Sequence, residues 1–179
     1  FDISEVAFIG IFKNINILIG STSTTDMLTG LDANSIWAVN ASDSGIYTSG
    51  NALSFTAVEN LVGGSDSDTL TWASYATGRS VVLTALGAVD GFDGTENSLA
   101  GSGPSLTGGF FNFNILIGSP TTDDTLTGAN LPAAWNITGA VNQYTVNPTL
   151  EFFAFENLVG GSDVDTFTFQ PGASLVGNL

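Results

Sequence analysis

Residues 59–71 and 156–168 of this 179-residue chain spell nearly the same phrase, ENLVGGSDSDTLT and ENLVGGSDVDTFT, identical at eleven of thirteen positions. Upstream, Asn16-Ile17-Leu18-Ile19-Gly20-Ser21 returns as Asn114-Ile115-Leu116-Ile117-Gly118-Ser119, Trp37 as Trp135 and Tyr47 as Tyr144. The offset is 98 residues early in the unit and 97 later. A period of that length marks a stacked or arrayed architecture, and it points away from one catalytic pocket. The internal units run approximately 1–98 and 99–179, the second incomplete, and 1–179 reads as one continuous fragment of a longer array.

Charge narrows the function. Only Lys13 and Arg79 are cationic, against seventeen acids, and the net charge is −15. A nucleic-acid partner needs Lys and Arg to meet phosphate, so none is expected. The apolar share of 43% is that of a globular chain. No apolar run approaches a membrane span. Cysteine is absent, which excludes disulfides and thiolate metal sites.

Short apolar or alternating runs bounded by Gly, Asn, Asp and Ser predict strands at 15–19, 34–39, 53–62, 80–86, 110–117, 133–137, 150–159 and 166–169. No segment carries a helical period. A shorter echo, Asp/Asn-x-apolar-Thr/Ala, begins at Asp26, Asp68, Asn97, Asp124 and Asp165, in steps of 42, 29, 27 and 41. Halving the long steps gives about seven coils, rising ~4.8 Å each. The fold class expected is therefore all-β: a parallel β-helix or β-solenoid whose coils bury each other's apolar faces. Two tandem β-sandwich domains are the alternative. Gly63-Gly64 and Gly160-Gly161 are expected to turn the chain at positive φ. Asn60 and Asn157 are either inward hydrogen-bonded ladder positions or solvated turn residues.

GGSDSDTLT and GGSDVDTFT resemble the nonapeptide of haemolysin-type (RTX-like) calcium-binding repeats, Gly-Gly-x-Gly-x-Asp-x-apolar-x. Gly63, Gly64, Asp68 and Leu70 match in the first copy, and Gly160, Gly161, Asp165 and Phe167 in the second. Asp66 and Asp163 stand where that family has glycine. The wider phrase is similar to degenerate repeats of giant secreted bacterial surface proteins and adhesins. The resemblance implies calcium as the cofactor, with Asp68 and Asp165 as ligands; Asp66 and Asp163 are either further ligands replacing lost carbonyls or turn residues. Asp26 and Asp124, with Asp123 beside it, are weaker ligand candidates, or surface Asx turns. DGFDGTEN at 90–97 reads as a loop.

An enzyme is not expected. Histidine and cysteine are missing, and the carboxylate pairs recur at matched repeat positions, as scaffold residues do. Trp37, Trp72 and Trp135 are either a sugar-stacking platform or core; Phe55, Phe152, Phe153, Phe155, Phe167 and Phe169 are expected inside. The repeats suggest a structural segment of a fibre, filament or stalk, and the resemblance implies an extracellular, bacterial one of adhesin type. Its partners would be further repeats, or copies of itself stacked end to end. A module binding a glycan or cell-surface ligand is the alternative, and a β-helix enzyme cleaving polysaccharide a distant third.

Overall fold

The computed structural model describes residues 14–98 and 106–179. The first repeat lays down seven strands: β1 (Ile17–Ile19), β2 (Met27–Thr29), β3 (Ser35–Ala41), β4 (Ser44–Ser49), β5 (Asn51–Thr56), β6 (Asn60–Val62) and β7 (Asp68–Thr71). Three more follow, β8 (Arg79–Leu86), β9 (Phe92–Ser98) and β10 (Gly109–Phe113). The second repeat then lays down the same seven again. They are β11 (Ile115–Ile117), β12 (Thr125–Thr127), β13 (Ala133–Ile137), β14 (Asn142–Thr145), β15 (Thr149–Phe153), β16 (Asn157–Val159) and β17 (Asp165–Phe169).

The chain alternates between two sheets. One has the order β1-β5-β4-β3-β7-β11-β15-β14-β13-β17, and the other β16-β12-β8-β9-β10-β6-β2. Both run through both repeats. Successive windings pair in parallel, as β7 with β11 and β8 with β12. The fold is an all-β solenoid without helix among the described residues.

Its stacked coils amount to about four turns, not seven. The 42- and 41-residue steps are not two coils each. They contain the antiparallel meanders β3-β4-β5 and β13-β14-β15, in which the chain steps back within one sheet before crossing over. A third meander, β8-β9-β10, lies on the other sheet between the repeats. An antiparallel strand shows the same period-two pattern as a parallel rung, so alternation cannot count turns. The 53–62 and 150–159 runs also divide, each into two strands on different sheets, around Ala57 (φ 54°) and Ala154 (φ 53°).

Alternate residues of each strand point inward and stack in register. On the ten-stranded sheet Tyr47, Trp37, Leu70, Leu116 and Phe152 form one inner row. Opposite, Val81, Leu126 and Leu158 form another. All eight are buried. The repeated Trp and Tyr have one explanation: the rings of Trp37 and Tyr47 lie 4.4 Å apart, and those of Trp135 and Tyr144 4.6 Å. Each tyrosine hydroxyl then accepts a corner N–H, from Leu31 at 2.9 Å and from Ala129 at 3.0 Å.

Trp37, Trp72 and Trp135 are all 0% exposed, so none forms a sugar-stacking platform. Phe55, Phe152 and Phe155 are core, whereas Phe153 and Phe167 are half-buried and Phe169 is 41% exposed. Phe167 stacks on Trp135 at the last strand, where no further winding of the described residues covers it.

The paired glycines serve proximity rather than positive φ; neither pair is in the left-handed region. A Cβ on Gly64 would sit 2.1 Å from the Leu31 carbonyl oxygen, and one on Gly161 2.1 Å from that of Ala129. The windings touch there backbone to backbone, and only glycine fits. Gly64→Ala is therefore expected to destabilise by about 1–3 kcal/mol through overpacking, measured by urea unfolding.

Candidate functional site

The sequence candidates lie at the corners where the chain leaves one sheet for the other. Asp26 and Asp124 are fully buried, against the expectation of surface turns. Asp26 accepts the Ser21 hydroxyl at 2.9 Å and its N–H. Asp124 accepts the Ser119 hydroxyl at 2.9 Å, the Ser119 N–H at 3.1 Å and the Arg79 N–H from the neighbouring winding. The N–H groups of Asp26 and Asp124 in turn donate to Glu59 (2.9 Å) and Glu156 (3.1 Å), the first residues of the ENLVGG phrase. Asn60 and Asn157 reach the carbonyls of Asp26 and Asp124, both at 3.3 Å. They are ladder positions, tying each winding to the one before it.

Asp68 and Asp165 begin β7 and β17. Asp68 is buried and accepts the Gly64 N–H at 2.6 Å and the Ser35 hydroxyl; Ser35 accepts the Trp37 indole N–H at 2.7 Å. In the second repeat Ala133 replaces Ser35, and Trp135 donates directly to Asp165 at 2.9 Å. Asp66 and Asp163 are exposed at the turn tips.

The oxygens of Asp26, Asp68 and Asp124 thus face N–H and O–H donors. Calcium needs six to eight oxygens converging on one point. Among the described residues no three acidic side chains converge. Protein donors thus hold the carboxylates of Asp26, Asp68 and Asp124, whereas Asp165 Oδ2 is buried without a hydrogen-bond partner among the described residues.

Glu59, Glu156, Ser21 and Ser119 complete the corners and were missed as site residues, although their recurrence with the aspartates was visible in both repeats. The span 90–97, expected as a loop, contains most of β9. Asp93 there accepts the Asn112 N–H at 3.0 Å. Glu96 pairs with Arg79 at 3.4 Å, both side chains 0% exposed. The Arg79 guanidinium also lies 4.3 Å over the Tyr75 ring. The Asn97–Ala100 echo falls partly outside the described residues.

Burial pushes the Asp124 carboxyl up to about 6, despite the donors around it. Burial also raises Asp68, Glu59 and Asp93. An acid whose folded pKa is raised binds more protons when folded than when unfolded. Its contribution to stability is thus greatest below the unfolded value of 3.8 and declines as pH rises through about 6. The protein is expected to melt higher at pH 5 than at pH 7.5. Asp124→Asn should remove on the order of 2 kcal/mol of that dependence, read from melts across the range.

No protein-family model matches the chain, and no curated protein or solved structure is significantly similar to it.

Proposed function

We propose that this chain is a structural segment of an extracellular fibre, filament or adhesin stalk of a bacterial surface, extended by stacking. The observation that carries the proposal is the joint between the repeats. There β11 lies on β7 in parallel, Thr69 opposite Ile115, Leu70 opposite Leu116 and Thr71 opposite Ile117. β17 repeats β7, and β1 repeats β11. These are also the two terminal strands of the ten-stranded sheet. Ile17 and Ile19 are 68% and 71% exposed, whereas Ile115 and Ile117, held in the joint, are half-buried. A further winding, from the same chain or from another copy, can meet β17 as β11 meets β7. Open strand edges pair readily.

Concentration-dependent sedimentation with negative-stain microscopy tests the reading. Rods that lengthen end to end at constant width are expected. The Trp72 N–H, the counterpart of that of Phe169, donates across the joint to Ile117 at 2.9 Å. Phe169→Pro removes a donor on the open side of β17 and should abolish the lengthening while leaving the monomer folded. Compact particles at every concentration would contradict end-to-end pairing.

A scaffold role also accounts for the carboxylates, which serve as corner caps in both repeats rather than as one privileged catalytic pair. Calcium enters this proposal as a counter-ion of the acidic rim, where Asp66 and Asp163 are exposed. Calcium and magnesium at equal concentration should then raise the melting temperature alike, by screening. A large rise with calcium alone would instead favour a dedicated cage.

A further inference from the structure

The outer face of the ten-stranded sheet carries a straight row of side chains in register across six consecutive strands: Thr48, Ile36, Thr69, Ile115, Glu151 and Gln143. At the spacing of neighbouring strands the row is ~24 Å long. It crosses the valley between the meanders β3-β4-β5 and β13-β14-β15. Two adjoining hollows of about 410 and 340 Å³ lie along it, sharing Ser67 and Ile115.

From this row and valley we infer a binding groove for an uncharged, polyhydroxylated chain: a neutral oligosaccharide. The chemistry of the lining selects that class. Half-buried Thr48, Thr69, Gln143 and Glu151 and exposed Ser67 bring hydroxyl, amide and carboxylate groups together along the hollows. Between them Ile36 (52% exposed) and Ile115 offer apolar patches for the C–H faces of a sugar ring. Strands hold all six, so little conformational freedom is lost on binding. Among the described residues an anionic chain finds no counter-charge: Arg79 is buried against Glu96, and the one charge in the row is Glu151.

The second repeat supplies an internal comparison. The thirteen-residue phrase differs at only two positions, and one is the groove residue Ser67, which becomes Val164. Asn34 and Ser35, at the edge of the same valley, become Pro132 and Ala133, and Ile36 becomes Ala134. Winding and stacking do not require Asn34, Ser35 or Ser67, because the second repeat winds in the same way with Pro132, Ala133 and Val164 in their places.

Titration of the whole chain with cellohexaose, chitohexaose and maltohexaose, followed by amide NMR shifts, tests the inference. At least one is expected to shift Thr69, Ile115 and Glu151 in a saturable way at up to millimolar concentration. Ser67→Val, which copies the second repeat, and Gln143→Ala should each weaken binding about tenfold with the melting temperature unchanged. Phe169→Pro should leave binding intact, so loss of end-to-end pairing and loss of the groove are read separately. Absence of saturable shifts with all three sugars, shifts that map elsewhere, or equal binding of a hexagalacturonate would overturn it.

Discussion

Glu96→Ala is expected to destabilise the protein by about 3–5 kcal/mol, because it strands a buried guanidinium that cannot shed its proton. Arg79 lies at the start of β8, where its backbone N–H caps Asp124 of the next winding. Its side chain turns into the interior. Nε donates to the Gly78 carbonyl at 2.9 Å and Nη2 to the Thr77 hydroxyl at 2.8 Å. Glu96 from β9 is the only carboxylate within ion-pair distance of it among the described residues. The pair itself need not add net stability, since desolvating two charges costs about as much as their attraction returns. Arg79→Met combined with Glu96→Leu should therefore lie within about 1 kcal/mol of the parent, while either single change is severe. Urea unfolding of the three variants checks this. A mild effect of Glu96→Ala would mean that solvent reaches the guanidinium.

Trp37→Ala carries the other large effect, about 3–5 kcal/mol. Trp37 touches three parts of the fold at once. Its ring meets Tyr47 at 4.4 Å and Phe55 at 6.2 Å in its own meander, and Phe113 at 5.8 Å on the opposite sheet. Its indole N–H also holds Ser35 in place to cap Asp68, whose N–H binds Asn114 at the joint at 2.8 Å. The loss should thus appear both in global stability and in faster hydrogen exchange at β7 and β11. Trp135→Ala, under a less completely covered last strand, should cost less. Equal costs for the two tryptophans, or a cost of Trp37→Ala below about 1 kcal/mol, would contradict this core.

The repeats made the stacked architecture legible, because nearly identical phrases 97 residues apart must fold alike to share one core. Ala133–Ile137 appears as a strand over the span its alternation predicts. The meanders were hidden. SGIYTS and NQYT are short and polar, and their pairing direction depends on partners the local pattern does not name. β9 was masked by its acids: Asp93 and Glu96 look solvated until Asn112 and Arg79 arrive from distant positions to meet them. The corner aspartates were found, but their surroundings were not. The backbone N–H groups of Asp26 and Asp124 meet Glu59 and Glu156 from the following winding, 33 and 32 residues away. The outer row that forms the groove exists only through register, since its six residues come from six strands.

Oxidative cross-linking of Thr69→Cys with Ile115→Cys tests the stacking of the two repeats most directly. The natural chain has no cysteine to interfere. The two positions face each other across the β7–β11 joint, at a strand spacing of ~4.8 Å that a disulfide can bridge. The pair is expected to close under mild oxidation within the monomer. Thr69→Cys with Phe153→Cys, one strand further along, is expected to stay open. Failure of the first pair to close, or closure of the second, would contradict a solenoid in which the second repeat is laid directly upon the first.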